Sequence, residues 1–230
     1  MPGLLLAADG WMKRFPAVLA LLLLAACAPE APQVTPQLLS VYVTSAAYPR
    51  VSELYRCASP FSVINLTDPA TAQLTLRLGE PVPLVTPAYQ VGTEDLLIVT
   101  HSQVGVGPLP LDQVQQLFSG IITNWKDVGG NDLPVQVWTY AVGEDIQQVF
   151  DRVVMSGQPV ASTARLAVSS QAMSDEVGNT PGSVGYLARR WKAGNTRDVL
   201  SFASVPVLVV ARTDPDPASK ALIDCLQRSK

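Results

Sequence analysis

Histidine and charged residues are scarce in this chain of 230 residues, which holds one histidine and 15% Asp, Glu, Lys and Arg. A zinc site needs about four nitrogen or sulfur ligands close together, and His101 with three scattered cysteines does not supply them. The sequence also lacks a Gly-x-Ser-x-Gly elbow and a phosphate-cradling glycine-rich loop. We therefore expect neither an enzyme nor a bound metal or cofactor.

Basic residues do not outnumber acidic ones, with 16 Lys and Arg against 19 Asp and Glu and a formal net charge of −3 at pH 7. Nucleic-acid-binding domains carry a basic patch or stripe, so nucleic acid is not an expected partner. Apolar residues make up 48% of the chain. Together with the low charge content, that share predicts a well-packed globular domain rather than a disordered chain.

The N-terminus carries the features of a secretory signal. Lys13 and Arg14 form a short basic region, and residues 15–26 are almost entirely apolar. This run is shorter than the about 20 apolar residues that a bilayer-spanning helix needs, and it suits the apolar region of a signal peptide. We predict that residues 1–26 are a signal peptide, which directs the chain out of the cytoplasm.

The apolar run ends in a motif that resembles the lipobox of bacterial lipoproteins, Leu24-Ala25-Ala26-Cys27. A proline-rich stretch follows it, which favours an extended spacer. We predict that Cys27 is lipidated and that residues 27–37 tether a domain to the bacterial cell membrane, at the cell surface or in the periplasm. The alternative is an ordinary cleaved signal in which the cysteine occurs by chance.

The two remaining cysteines, Cys57 and Cys225, are candidates for a disulfide, because disulfides persist outside the cytoplasm. Two buried thiols that never meet are the alternative. Sequence alone leaves the choice between them open.

Strand patterns and helical spacing alternate along the rest of the chain, which predicts an α/β fold with mainly parallel sheets. The predicted strands cover residues 38–44, 61–66, 72–78, 95–100, 135–139, 183–187 and 205–210. The predicted helices cover residues 49–58, 111–118, 143–157, 169–177 and 217–227, with a single helical turn at 123–127 capped by Thr123.

One segment, residues 117–130 with the sequence LFSGIITNWKDVGG, is distinctive. It closely resembles the Phe-Ser-Gly-Lys-Ile-Thr-Asn-Trp-Lys-Asp-Ile-Gly-Gly segment of the phosphate-binding subunit of phosphate ABC importers. Residues 179–186, NTPGSVGY, are similar to that family's Thr-Pro-Gly-Ala-Ile-Gly-Tyr. A weaker match covers residues 76–81, and the order and spacing of the segments agree with the family from about residue 38 to the end.

The resemblance implies a type II periplasmic-binding-protein fold, in which two α/β lobes are joined by two crossover strands and hold a ligand between them. Lobe 1 would comprise residues 38–100 and 188–230, and lobe 2 would comprise residues 101–187. Cys57 and Cys225 then fall in the same lobe, which favours their pairing. The resemblance also implies a monomer that delivers a small ligand to an ABC permease.

The resemblance places a first anion-binding loop at Thr44 and Ser45, between a strand and a helix. A plain helix cap is an equal alternative for these hydroxyls. Arg77 is a candidate cation, and a solvated strand residue is its alternative. Tyr140 is a candidate hydrogen-bonding residue in the wall of the ligand site. Gly143 is predicted to begin a helix whose free N–H groups favour anions.

The chain departs from the family at the second anion-binding position. The family has Arg-x-Asp-Gly-Ser-Gly-Thr there, whereas residues 139–145 of this chain read TYAVGED. Glu144 and Asp145 would repel an anion, because two like charges ~4 Å apart cost about 4 kcal/mol at an effective dielectric of 20. We therefore expect no tight phosphate binding in the family's geometry. The two carboxylates are adjacent in sequence, so they do not form a facing acid–base pair either.

Two functions remain in competition. The leading prediction is a membrane-tethered solute receptor of an ABC importer, whose ligand is phosphate, another oxyanion or a small polar molecule. The alternative is a binding-fold lipoprotein that does not transport and acts instead as a sensor or an envelope assembly module. The loss of the family's second anion-binding residues favours the alternative.

Overall fold

The structure is a computed structural model that describes residues 36–58 and 62–229. The predicted signal peptide, the predicted lipidation site Cys27 and most of the predicted tether lie outside the described residues. The described residues belong to one compact unit. Among the described helices, none combines the length and the apolar character that a membrane span requires.

Strands and α-helices are interspersed along the described residues, which confirms the predicted α/β class. The strands are β1 Gln37–Val43, β2 Ser62–Leu66, β3 Leu74–Leu78, β4 Ala88–His101, β5 Gln136–Tyr140, β6 Arg165–Ala167, β7 Ser183–Ala188 and β8 Thr196–Ala211. The helices are α1 Val51–Ala58, α2 Leu111–Phe118, α3 Asp145–Phe150, α4 Ser170–Asn179 and α5 Pro217–Arg228. A π-helical turn, Asp151–Met155, extends α3.

The strands form one sheet in the order β2-β1-β3-β8-β4-β7-β5-β6. β1 runs parallel to β2 and β3, and β5 runs parallel to β6 and β7. The centre is antiparallel, because β8 pairs with β3 and β4, and β4 also pairs with β7. The expectation of a mainly parallel sheet therefore holds for the two outer parts and is wrong for the centre.

The central strands β4 and β8 connect the two outer parts, and both are longer than predicted. Apolar runs predict only residues 95–100 and 205–210, but the strands span 14 and 16 residues. The additional residues include Thr93 and Glu94, which stay extended because they pair with β8. We call β1–β3 with α1 and α5 the first half, and β5–β7 with α2, α3 and α4 the second half. A division into lobes at the predicted boundaries stays a prediction.

Trp125 joins the two segments on which the family resemblance depends. Its side chain is fully buried, and its Nε1 donates to the backbone oxygen of Gly182 at 2.7 Å. Gly182 has a φ of +81°, and a Cβ there would lie 2.4 Å from the backbone oxygen of Pro134. The position therefore requires glycine, both for its backbone conformation and for the close approach.

The turn at Trp125 begins one residue later than predicted. Thr123 is the predicted cap, but it lies outside the turn, and its backbone oxygen accepts the Val135 N–H at 2.9 Å. Asn124 is the cap instead, because its side-chain oxygen accepts the Lys126 N–H at 3.0 Å.

A disulfide joins α1 to α5 within the first half. It links Cys57 to Cys225, whose Cα atoms are 5.6 Å apart across a sequence separation of 168 residues. A bond that closes so long a loop restricts the unfolded chain, and native disulfides typically stabilise by about 2–4 kcal/mol. The C-terminal helix is thus tied to the first helix of the described chain.

Trp125→Phe should destabilise the protein more than the same change at Trp138. Both indoles are buried, but the Trp138 Nε1 has no hydrogen-bond partner among the described residues. Trp125→Phe deprives the Gly182 oxygen of its donor, which costs about 1–3 kcal/mol beyond the packing loss that both variants share. Urea unfolding measures the difference. Equal free energies of unfolding would contradict the role given to the Trp125 hydrogen bond.

Candidate ligand-binding site

The carboxyl ends of β1 and β3 meet the N-terminal end of α3 at one buried junction. Asp145, the first residue of α3, is only 3% exposed. Its Oδ2 accepts the Thr44 hydroxyl at 2.7 Å and the Leu78 backbone N–H at 2.9 Å. Its Oδ1 accepts the Ile146 N–H at 2.9 Å. Three donors therefore converge on one carboxylate, and two of them belong to the first half.

The packing of α3 against β5 and β7 fixes the position of Asp145. The ring of Phe150 stacks on Tyr186 with 3.9 Å between the ring centroids. Gln147 is buried, and its side-chain oxygen accepts the Thr139 hydroxyl at 2.9 Å. These contacts hold α3 to β5 and β7, so its first residue faces the ends of β1 and β3.

Thr44 serves its own turn as well as the junction, because its Oγ1 also accepts the Ala47 N–H at 3.4 Å. Thr44 is not the cap of the short helical turn that follows, whose N-cap residue is Ala47, and its hydroxyl donates to a carboxylate of the chain itself. Ser45 makes a second contact between the two halves. Its Oγ accepts the N–H of Ser170, the first residue of α4, at 2.6 Å.

Tyr140 lies behind this second contact. Its hydroxyl donates to the Ser170 Oγ at 3.4 Å, and its side chain is 4% exposed. Burial strongly raises the pKa of Tyr140, so the phenol is a neutral donor at physiological pH. Tyr140 therefore supports the start of α4, and its hydroxyl is already engaged there.

Arg77 and Gly143 also lie at the junction, and Gln148 links them. The half-buried Arg77 donates from Nε to the Gly79 oxygen at 3.1 Å and from Nη2 to the Gln148 side-chain oxygen at 3.3 Å. The Gln148 Nε2 in turn donates to the Gly143 oxygen at 3.1 Å. Burial lowers the pKa of Arg77, whereas the charge of Asp145 raises it.

Two neighbouring carboxylates make the junction electronegative. Glu144 precedes α3 at the N-cap position and is half-buried. Burial raises the pKa of Glu144, and the charge of Asp145 raises it further. Burial also raises the pKa of Tyr42, and the charges of Glu144 and Asp145 raise it further. An anion that enters this region therefore meets both carboxylates.

The five predicted ligand residues lie at or beside this junction. The side chains of Thr44, Ser45, Arg77 and Tyr140 contact other protein groups. The prediction that Gly143 begins a helix is wrong, because α3 begins at Asp145 and Gly143 precedes its N-cap residue. The sequence treats Asp145 only as a group that repels an anion, whereas in the structure it is the acceptor for the donors. Two groups that take part in these hydrogen bonds are not predicted from the sequence. The Leu78 N–H is a backbone group with no signal in the sequence, and Ser170 could have been found only as a serine at a helix start.

Metal binding finds no support in the described part of the chain, where no three His, Cys, Asp or Glu side chains are grouped to hold an ion. The single histidine has a structural contact. His101 is buried, and its Nδ1 accepts the Gln103 N–H at 3.1 Å as the cap of a short turn.

Known proteins share parts of this sequence. A family model described as a PBP superfamily domain matches residues 87–228. The phosphate-binding protein PstS of Bacillus subtilis (strain 168) is 25% identical over 117 residues, which cover 51% of this chain and 39% of that protein. The match therefore spans well under two thirds of that relative.

Solved structures share the fold. A phosphate ABC transporter substrate-binding protein from Clostridium perfringens, solved with bound phosphate, has a TM-score of 0.76 at 17% identity and covers 83% of this chain and 93% of its own. The CcmR regulatory domain of Synechocystis PCC6803, in complex with 2-PG, has a TM-score of 0.59 at 12% identity, over 84% of this chain and 97% of its own.

These comparisons confirm the resemblance seen in residues 117–130 and the periplasmic-binding-protein fold that it implies. At such identities the likeness to solved structures establishes the fold and leaves the ligand open. The relatives are named as binding proteins or as a regulatory domain, which is consistent with the expectation that this chain is not an enzyme.

Glu144→Gln should stabilise the protein at neutral pH and lose that advantage in acid. The pKa of Glu144 is higher in the folded protein than in the unfolded chain, so the ionised side chain destabilises the fold above its ordinary pKa of about 4.3. Below that pH both states bind the proton and the penalty disappears. Urea unfolding of wild type and variant at about pH 7.5 and about pH 4 measures the difference. An equal gain at both pH values would contradict the direction of the pKa shift.

Proposed function

We propose a solute-binding function for this chain, which belongs to the PBP superfamily domain family. The ligand is a small molecule with an oxyanion group, such as a phosphate or a carboxylate, and it binds where β1 and β3 meet α3. One observation carries the proposal. The Thr44 hydroxyl and the Leu78 N–H lie 2.7 and 2.9 Å from a single carboxylate oxygen, that of Asp145.

The two donors suit an oxyanion for a general reason. Hydrogen bonds to a charged acceptor are stronger than neutral ones, and a hydroxyl paired with a backbone N–H can present two of them to one oxygen. Both donors belong to the first half, at the ends of neighbouring strands. A ligand oxygen held there would also contact the start of α3, and would thus bridge the two halves.

We also propose a location for the protein and a partner that receives its ligand. The predicted signal peptide, the lipidation of Cys27 and the tether at residues 27–37 support a receptor anchored outside the cytoplasm. The disulfide between Cys57 and Cys225 supports an oxidising compartment. The receptor would act as a monomer and hand its ligand to an ABC permease, as the phosphate ABC transporter relative suggests. The predicted lobes would open and close by bending at β4 and β8.

A second candidate is a binding-fold module that does not transport and works as a sensor or in envelope assembly. It is favoured by the occupied state of the donors, since Asp145 already accepts both of them. The likeness to the CcmR regulatory domain supports it too, because that domain has the same fold in a regulatory protein.

Thermal unfolding of the full-length chain in detergent, with phosphate, sulfate or succinate, tests the receptor function. A ligand at about 100 times its Kd stabilises by about 2.7 kcal/mol, which raises the Tm of a domain of this size by about 5–10 °C. We expect a saturable shift with at least one of these anions. Thr44→Val should remove the shift, because it deletes a donor and keeps the shape of the side chain.

Thr163→Val is the matched control, because Thr163 is exposed and lies outside the junction. It should leave the shift unchanged. The absence of a shift with all three anions would contradict an oxyanion receptor and favour the second candidate. A shift that survives Thr44→Val would place the ligand elsewhere.

A further inference from the structure

The donors that would hold a ligand are already engaged by the chain itself. We propose that Asp145 is a resident substitute for the ligand's oxyanion group, and that it holds the first half of the protein to α3 when no solute is bound. This inference takes only the class of ligand from the proposed function. Its first readout needs no ligand, so the two can fail separately.

One oxygen of Asp145 connects the two halves of the protein. Asp145 Oδ2 accepts a hydroxyl from Thr44 and an N–H from Leu78, which come from different strands of the first half. Asp145 itself belongs to α3 in the second half. A carboxylate oxygen has the same charge type and acceptor capacity as an oxygen of a phosphate or of a carboxylate ligand. The side chain therefore makes the bridge that a bound anion would make.

The Asp145 carboxylate occupies the space next to the two donors. Asp145 is 3% exposed and Thr44 is 9% exposed, and the atoms that join them are in direct hydrogen-bond contact. A ligand oxygen cannot reach the Thr44 hydroxyl and the Leu78 N–H until the carboxylate leaves. Binding at these donors is thus a displacement, in which one acceptor replaces another.

A free anion must compete with the Asp145 carboxylate for the two donors. A group attached to the same chain competes at an effective concentration in the millimolar range or above, even when its link is flexible. Asp145 is also fixed by the packing of α3, through the stack of Phe150 on Tyr186. A free anion must displace this carboxylate and approach the charge of Glu144 as well. The affinity for free anions is lowered by both effects.

Other contacts keep the two halves together when the carboxylate leaves the donors. A separate contact, from the Ser170 N–H to the Ser45 Oγ, joins the two halves beside Asp145. The long antiparallel pairing of β4 with β8 connects them independently of either contact. Loss of the Asp145 bridge should therefore loosen the junction and leave the sheet intact.

Hydrogen–deuterium exchange of the full-length chain without any added anion is the first test. Asp145→Ser removes the acceptor, so the Leu78 amide should exchange faster by about tenfold or more than in wild type. Glu144→Gln is the matched control, because it removes the neighbouring charge and retains the Asp145 bonds; it should not accelerate exchange. An Asp145→Ser protein whose Leu78 peptide exchanges as slowly as wild type overturns the proposal.

Inorganic phosphate is the probe for the second test. Calorimetric titration should show that Asp145→Ser binds phosphate about tenfold tighter or more than wild type, since the donors are free. Phosphate should also restore slow exchange at Leu78. An equal gain in phosphate affinity in Asp145→Ser and Glu144→Gln would mean that the removal of a negative charge alone raises the affinity. An unchanged affinity in Asp145→Ser would mean that Asp145 does not block the donors. Either result overturns the proposal.

Asp145→Asn keeps the measurements decisive if the serine variant does not fold. The amide fills the same volume and offers a neutral oxygen, which is a weaker acceptor than a carboxylate. Exchange at Leu78 should then be faster than in wild type and phosphate should bind more tightly. Wild-type values for both quantities in Asp145→Asn overturn the proposal.

Discussion

A buried carboxylate must be satisfied by donors, and this requirement shapes the centre of the molecule. An unpaired charge inside a protein is costly, so Asp145 is stable in its buried position only because three donors reach it. Two of these donors lie at the ends of β1 and β3, and the carboxylate lies at the start of α3. The Asp145 carboxylate therefore joins the two halves at this junction through its bonds to Thr44 and Leu78.

The likeness to phosphate-binding proteins and the departure from them have separate physical origins. The shared segments contain Trp125 and Gly182, which bond to each other inside the second half and support its fold. The departure lies at Glu144 and Asp145, on the surface that faces the first half. A chain can thus retain the core of its family and replace the group that fills the binding position, because different residues determine the two.

The sequence predicts most of the fold, and it directs attention to the junction at Asp145 without predicting the contacts made there. Apolar periodicity identifies the helices and the buried parts of the strands, whereas the polar ends of β4 and β8 stay extended only because of their partners. The resemblance directs attention to Thr44 and Ser45. Nothing in the sequence shows that Asp145 bonds to Thr44, because residues that are 101 positions apart meet only once the strands are ordered.

A crystal structure of the protein, grown without phosphate, sulfate or carboxylate buffers, is the most direct test of the proposed role of Asp145. We expect the Asp145 carboxylate within hydrogen-bond distance of the Thr44 hydroxyl and the Leu78 N–H, with no ion between them. An open cleft with Asp145 turned into solvent, or an anion seated on those two donors, would contradict it.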